Sequence, residues 1–305
     1  MSHVLAVIHP EVADALAKGI GVVALESTLI THGLPWPDNY ATACESEALV
    51  RDAGAVPATI AILDGAIHVG LGQADLESMA RSSLFLKASR RDLGWVLARR
   101  HDAATTVSST LWIARKFGIG VMATGGLGGV HRGAALSFDI STDLDELAKA
   151  DGMLLVCSGF KSILDLPATR ESLETRGLPL IGYRTKELPA FTSVSSGLGV
   201  DATVETAQEV AEIVDAHRRL GLPGAIVLAQ AVRADLGIDL DLMETYLGQA
   251  LQDASRLGVA GKELTPFLLK RIHETSGGES VAANRSLIVA NAGLAGEIAT
   301  SLART

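Results

Sequence analysis

A lysine, a glutamate and a string of glycines carry most of the chemistry this sequence can do. In Val156-Cys-Ser-Gly-Phe-Lys-Ser-Ile-Leu-Asp165, the apolar run Gly152-Met-Leu-Leu-Val156 ends in a turn of small residues and then Lys161. Desolvation at the end of a buried strand favours the neutral amine, which is a nucleophile. A helix-start lysine whose ammonium reaches water is the competing reading, and on these ten residues alone it is the stronger one. Glu26 directly follows the run Val22-Val-Ala-Leu25. A carboxyl at the lip of a strand can act as a general acid, or it can simply cap a loop. Lys87 ends Ser83-Leu-Phe-Leu-Lys87, with Arg90 and Arg91 close behind. That group could hold a phosphate or carboxylate, whereas Arg91 and Arg99 read better as a solvated helix start. Ala104-Thr-Thr-Val-Ser-Ser-Thr110 begins a helix at Thr105–Val107. Its first amides, that of Val107 among them, can bind an anion, although a threonine there is also a plain cap.

The least ordinary stretch is Ala123-Thr-Gly-Gly-Leu-Gly-Gly-Val-His-Arg-Gly133, with four glycines in the five positions 125–129. It is no dinucleotide fingerprint, because His131 stands where the third glycine should be and the stretch lies far from the first strand. It is no P-loop, because no Gly-Lys-Ser/Thr follows. It remains a backbone that a ligand can approach closely, with His131 and Arg132 facing that ligand. Downstream, Asp143, Asp145 and Glu146 suit the first turn of a helix. Asp139 precedes that helix and is not explained by it. One carboxylate plus waters is a common setting for Mg²⁺ or Mn²⁺. In Ser276-Gly-Gly-Glu-Ser-Val-Ala-Ala-Asn-Arg-Ser-Leu287 the last helix opens, with Glu279 or Ser280 near its cap. Asn284 faces either a pocket or solvent.

These residues need a scaffold, and the chain alternates short β-branched runs with helical patterns. Strands are predicted over 21–25, 57–63, 66–69, 83–87, 119–123, 153–156, 180–181 and 225–228. Asp64-Gly65 is a hairpin signal between the second and third of these. Helices are predicted over 39–53 (capped by Asp38 or Asn39), 91–100, 107–117, 142–150, 162–175, 204–219 and nearly everything from Leu240. This pattern predicts an α/β fold, a mainly parallel sheet with helices on both faces. In such sheets sites lie beyond the carboxyl ends of the strands, where Glu26, Lys87, Gly125 and Lys161 all fall.

Composition bounds the reading. The 305 residues show no internal repeat and no low-complexity linker, so a single domain over 1–305 is expected. Net charge is −9, from 35 acidic and 26 basic residues, which argues against nucleic acid or an anionic membrane as partner. An anionic substrate must then meet a local basic pocket. Cys44 and Cys157 form no disulfide framework and lack metal-ligand spacing, which suits small buried residues in a reducing compartment. No apolar run approaches the roughly 18 residues of a membrane span. The segment carrying His3 and Glu11 has no signal-peptide layout, and a cytoplasmic protein is expected.

Taken together the strings are specific. The sequence resembles the pseudouridine-5'-phosphate glycosidase family through Ala24–Thr28 (ALEST), Thr31–Pro35 (THGLP), Gly54–Ala61, Ser89–Leu93, Ala104–Thr110, Ala123–Gly133, Phe138–Ser141 with Asp143-Leu144, Val156–Pro167, Ile181–Phe191 and Gly261–Leu269. The resemblance implies an α/β/α fold and a homotrimer. It implies that Lys161 forms an imine with C1' of ribose 5-phosphate and that Glu26 donates a proton. It further implies that Lys87, the Val107 amide, Ser141, Thr142 and Asp143 bind substrate, that Asn284 lies in the site, and that Asp139 holds Mn²⁺. A C-glycoside has no heteroatom leaving group, so the two-carboxylate route of ordinary glycosidases is closed to it, and a lysine imine opens another. Two departures stand out: Ala229-Gln-Ala-Val232 replaces the family's usual Asn-Pro-Ile-Pro, and Val194–Leu198 differs after Phe191. Both place the difference on the base side. The implied activity is reversible cleavage of pseudouridine 5'-phosphate. A synthase joining ribose 5-phosphate to an aromatic aglycone is the alternative, and a non-catalytic phosphosugar-binding protein is the second.

Overall fold

In a computed structural model, residues 6–259, 261 and 264–304 are described. His3, and Lys262 and Glu263 of the family-like string, lie outside them. Among the described residues the strands are β1 (Ala6–Ile8), β2 (Val22–Leu25), β3 (Val56–Leu63), β4 (Ala66–Val69), β5 (Leu86–Ala88), β6 (Ala103–Thr105), β7 (Val121–Ala123), β8 (Leu154–Cys157), β9 (Leu180–Tyr183), β10 (Ala202–Val204) and β11 (Ile226–Gln230). They form one sheet in the order β1-β4-β3-β2-β7-β8-β11-β9-β10, with β6 beside β3 and β5 beside β6. Only the pairings of β3 with β4 and with β6 are antiparallel. Asp64 and Gly65 both take positive φ, as the tight turn between β3 and β4 demands.

Alternate side chains of the central strands serve opposite faces. Ala24, Leu155, Cys157 and Val227 pack on one side, and Leu25, Leu154, Val156 and Leu228 on the other. A strand covered on both faces is apolar throughout, which is why β8 reads Leu-Leu-Val-Cys. Helices Val107–Lys116, Leu240–Leu257 and Leu264–Thr275 contribute to the first layer. Helices Asp38–Asp52, Ala207–Arg219 and Glu279–Leu302 close the second. The expected three-layer α/β/α architecture with a helical C-terminal part is therefore found.

Several boundaries differ from the expectation. The helix expected from Ser162 starts at Leu166, because residues 161–165 are tied to the glycine string. The amide of Lys161 donates to Leu127 O (3.0 Å), that of Asp165 to Val130 O (2.9 Å), and the Asp165 carboxylate then caps the helix at Ala168. Asn39 is not a cap: its side-chain amide donates to Ile30 O and Ala80 O, and the helix begins at Asp38 after Pro37. The last helix is preceded by Gly278 at φ 95°, not by a capping side chain. The strand expected over 83–87 is only Leu86–Ala88, with Leu84 in solvent. β1, β6, β10 and the helices Pro10–Lys18 and Gln73–Arg81 were not expected. Three-residue strands are too short to show a period. Both cysteines are free, and burial pushes the Cys157 thiol up to about 12, so it is an inert core residue.

Candidate active site

The ends of β2, β5, β7 and β8 bring the predicted residues to one edge of the sheet. Glu26 leaves β2 and is buried; the hydroxyls of Thr28 and Thr124 donate to its two carboxyl oxygens. Each hydroxyl can also accept, so the carboxyl keeps a partner in either protonation state. Lys161 leaves β8, half-buried, on a turn fixed by Phe160 in the core below it. Gly159 makes that turn possible: its φ is +74°, and a Cβ there would stand 2.0 Å from Pro189 O. The turn is stitched to the glycine string by Ser158 N to Gly125 O (2.8 Å) and Leu127 N to Gly159 O (3.0 Å). Glu26, Lys87, Lys161 and Asn284 line one cavity with Gly125, Gly126 and Phe191. Residues spread over most of the chain thus meet where the topology said they would.

The start of helix Val107–Lys116 is tied to the residue after Lys87, Thr106 N (3.1 Å) and Ser109 Oγ (2.7 Å) donating to Ala88 O, and does not itself line the cavity. Asp143 is buried and fully committed, Oδ1 accepting from Ser108 N (3.1 Å) and Oδ2 from Gly128 N (3.0 Å). Its carboxylate therefore braces the glycine string against the helix. Gly128 must be glycine, since a Cβ would meet Ser141 Oγ at 2.3 Å. Ser141 caps Asp143 N (3.2 Å), and the Thr142 hydroxyl donates to Ser108 Oγ (3.3 Å). The Val107 amide, in the first turn, has no acceptor among the described residues. Arg91 and Arg99 are solvated, as expected.

His131 Nδ1 lies 4.0 Å from Asp139 Oδ2. Burial holds the His131 imidazole below its usual range; Asp139 opposes this, and the positive charges of Lys161 and Lys87 add to it. His131 is thus electrostatically in touch with both lysines. Among the described residues no three His, Cys, Asp or Glu side chains gather as a metal site. Asp139 is partly exposed, and among the described residues His131 is its one ionic neighbour. One open carboxylate of this kind fits a hydrated Mn²⁺ or Mg²⁺, and does not fit an ion enclosed by protein ligands.

Three features had not been anticipated. Asn291, a fully buried amide in an apolar helix, donates to Thr124 O (2.9 Å), Gly125 O (3.4 Å) and Ser158 Oγ (3.1 Å), bolting the ends of β7 and β8 together. A lone amide in a run such as Leu287-Ile-Val-Ala-Asn291 was the available signal. The stretch Ala229–Val232 does not line the cavity, as its placement on the base side had required. Val232 packs within the same apolar cluster as Phe191, and Gln230 reaches Asn291 at 3.5 Å, so this departure acts through packing. Finally, a second cavity of about 400 Å³ adjoins the first, sharing His32, Gly33, Phe191, Pro266, Leu269 and Asn284 with it. No helix among the described residues is long and apolar enough to cross a membrane.

Known proteins resemble this chain over nearly its whole length. Residues 11–301 match the family described as indigoidine synthase A like protein. A pseudouridine-5'-phosphate glycosidase of Hahella chejuensis is 48% identical over 96% of this chain and 97% of its own length. One from Caldanaerobacter subterraneus subsp. tengcongensis is 49% identical over 96% and 95%. Among solved structures, an indigoidine synthase A-like protein of Thermotoga maritima has a TM-score of 0.91 at 38% identity, over 100% of this chain and 99% of that one. The prealnumycin C-glycosynthase AlnA, in complex with ribulose 5-phosphate, has a TM-score of 0.90 at 38% identity, over 98% and 97%.

Proposed function

The chain belongs to the indigoidine synthase A-like family, and on that premise we propose that it cleaves the C–C glycosidic bond of pseudouridine 5'-phosphate to uracil and ribose 5-phosphate. The observation that carries the reading is the meeting of Glu26, Lys161 and Lys87 around one cavity at the carboxyl edge of the sheet.

The chemistry follows from those side chains. Glu26, oriented by Thr28 and Thr124, protonates the ring oxygen of the ribose, and the ring opens. The Lys161 amine adds to C1'. The C1'–C5 electron pair then stays with the base, which takes up a proton and leaves as uracil, while nitrogen and C1' become an imine. Water adds to that imine and returns ribose 5-phosphate and the free amine. Lys87, the Val107 amide, Ser141 and Thr142 hold the sugar phosphate; Asp143 serves by fixing the amides of Ser108 and Gly128. His131 flanks the lysines, and Asn284 meets the base. A divalent cation held at Asp139, Mn²⁺ by family resemblance, would add positive charge on the sugar-phosphate side. A homotrimer in the cytoplasm completes the reading; light scattering should return three chain masses, and one or two chain masses would refute the trimer.

The test is to supply pseudouridine 5'-phosphate with Mn²⁺ and follow uracil by chromatography. Release that vanishes on chelation and returns with Mn²⁺ supports both enzyme and metal. The second cavity favours one alternative, a synthase that attaches ribose 5-phosphate to a larger aglycone. Borohydride trapping of ribose 5-phosphate on Lys161, with pseudouridine 5'-phosphate left intact, selects it. Binding of the sugar without any adduct selects a non-catalytic binder.

A further inference from the structure

Cleavage of a C-glycoside needs protons in two places, and Glu26 serves one of them, the ring oxygen. C5 of the base must take up another as its bond to C1' breaks, because a bare carbanion there is too basic to leave. Lys161 is by then bonded to C1', and Lys87 serves the phosphate. The bond to be broken joins sugar to base. Its acid therefore belongs where the cavity of Glu26 and Lys161 meets the adjoining hollow of about 400 Å³. Of the residues that line both, His32 is the one whose side chain can carry a proton at neutral pH.

The local structure holds His32 at that junction. It belongs to Thr31-His-Gly-Leu-Pro35 and stands on a single π turn, Leu29–Gly33, directly after the Thr28 that donates to Glu26. Such wide turns are rare and concentrate at functional sites. Ile30 is buried, its amide donates to Ser27 O (3.0 Å), and the Asn39 side chain donates to Ile30 O (2.7 Å), so the turn is fixed from both sides. The Thr31 hydroxyl meets His32 Nδ1 at 2.5 Å. A hydroxyl can donate to Nδ1 or accept from Nδ1–H, so this contact survives in both protonation states, and the proton to be transferred is the one on Nε2. His32 is half-buried, and the ring is reachable from the cavities it lines.

We propose that His32 is the catalytic acid that delivers a proton to C5 of the leaving base. This rests on the glycosidase reading above and assigns that reaction's second proton. The C5=C6 π pair of the base takes the Nε2 proton of the imidazolium, forming C5–H. The C1'–C5 bond then breaks, and its electron pair restores C5=C6. The lone pair of the Lys161 nitrogen becomes the second bond of the imine. Water adds to the imine, and the proton it releases returns to the imidazole through solvent.

The experiment follows uracil release from pseudouridine 5'-phosphate, and the final extent of borohydride trapping of ribose 5-phosphate on Lys161, in the wild type, His32→Gln and His32→Ala. Both variants are expected to lose about 10²–10⁴-fold in kcat, the usual span of a general acid, with KM nearly unchanged. Trapping stays at the wild-type extent, since it involves no bond to the base. Added imidazole raises kcat in His32→Ala, which leaves room for it, and not in His32→Gln. A kcat within about threefold of wild type in both variants overturns the proposal, as does a loss carried by KM alone, which would mark a binding residue. A parallel loss of trapping would mark a structural role and overturns it too, and so does the absence of imidazole rescue. A wild type that traps no sugar and releases no uracil fails the glycosidase reading first, and this proposal falls with it.

Discussion

The two halves of the site are built by different means. On the sugar-phosphate side, side chains stand on the ends of parallel strands, and the fold itself satisfies their polar atoms. Both oxygens of Glu26 and of Asp143 are occupied, and Asn291 ties β7 to β8. On the base side, the loop after Phe191 and the helices Leu264–Thr275 and Glu279–Leu302 surround a larger hollow, and three polar atoms, on Thr192, His273 and Asn284, are unpartnered among the described residues. The first half is organised before any ligand arrives, as covalent chemistry requires. The second is an open hollow, and on the proposed reading it receives the base. Chemistry and specificity are thus separable by mutation.

The largest effects should come from the organised half. Lys161→Arg keeps the charge and removes the nucleophile, so uracil release falls to background and the borohydride adduct disappears. Glu26→Gln keeps partners for Thr28 and Thr124 but cannot give up a proton at neutral pH. Its kcat should fall by about 10²–10⁴-fold, with melting temperature nearly unchanged. A large drop in melting temperature with little change in kcat would make Glu26 a structural residue and blur the distinction.

Asp143→Ala should break the organised half structurally. It strands the amides of Ser108 and Gly128, at about 1–3 kcal/mol for each unpaired group. The melting temperature falls by several degrees, and the KM for the phosphorylated substrate rises. A smaller effect is expected at the boundary between the halves. A Cβ on Gly126 would stand 2.5 Å from the Phe191 ring, so Gly126→Ala must push that ring toward the base side. Such overpacking costs about 1–3 kcal/mol. Uracil release should suffer more than sugar trapping, and equal losses would show that Phe191 belongs to both halves.

This asymmetry also explains how much was legible in the sequence. Glu26, Lys87, Lys161 and the glycine string sit within a few residues of apolar runs, so strand ends and side-chain chemistry appear in the same short string. The parallel sheet followed from the same runs. The helix wrongly begun at Ser162 shows the limit: local periodicity carried no trace of the bonds from Lys161 and Asp165 to residues 127 and 130. The base side depends on such long-range packing almost entirely. Thr192, His273 and Asn284 come from separate parts of the chain with no shared pattern, and nothing in the order of residues says that they line one hollow. The expectation that Ala229–Val232 lines it failed for the same reason, because Val232 packs in the apolar cluster of Phe191 and none of the four residues lines the cavity.

The smallest effect concerns Glu47, in the helix packed behind the organised half. Its carboxyl accepts from Thr59 Oγ1 (2.6 Å) and from Arg51 (3.3 Å), yet burial outweighs both and holds it above the usual carboxylate range. In the unfolded chain the group titrates near 4.5. Between that value and the raised native one, the native state keeps a proton that the unfolded state has lost. Stability from this group is therefore present at low pH and declines as pH rises through that window, the full penalty applying above it. Glu47→Gln retains an acceptor for Thr59 and removes the titration. Melting temperatures of the two proteins should lie closest below about pH 4.5, and the variant should gain on the wild type toward pH 8. The gain should be smaller than the loss in Asp143→Ala, because Arg51 offsets part of the burial. A variant that instead loses ground as pH rises would mean that the Arg51 pair outweighs burial. Glu47 would then belong to the satisfied, stabilising network that distinguishes the sugar-phosphate half.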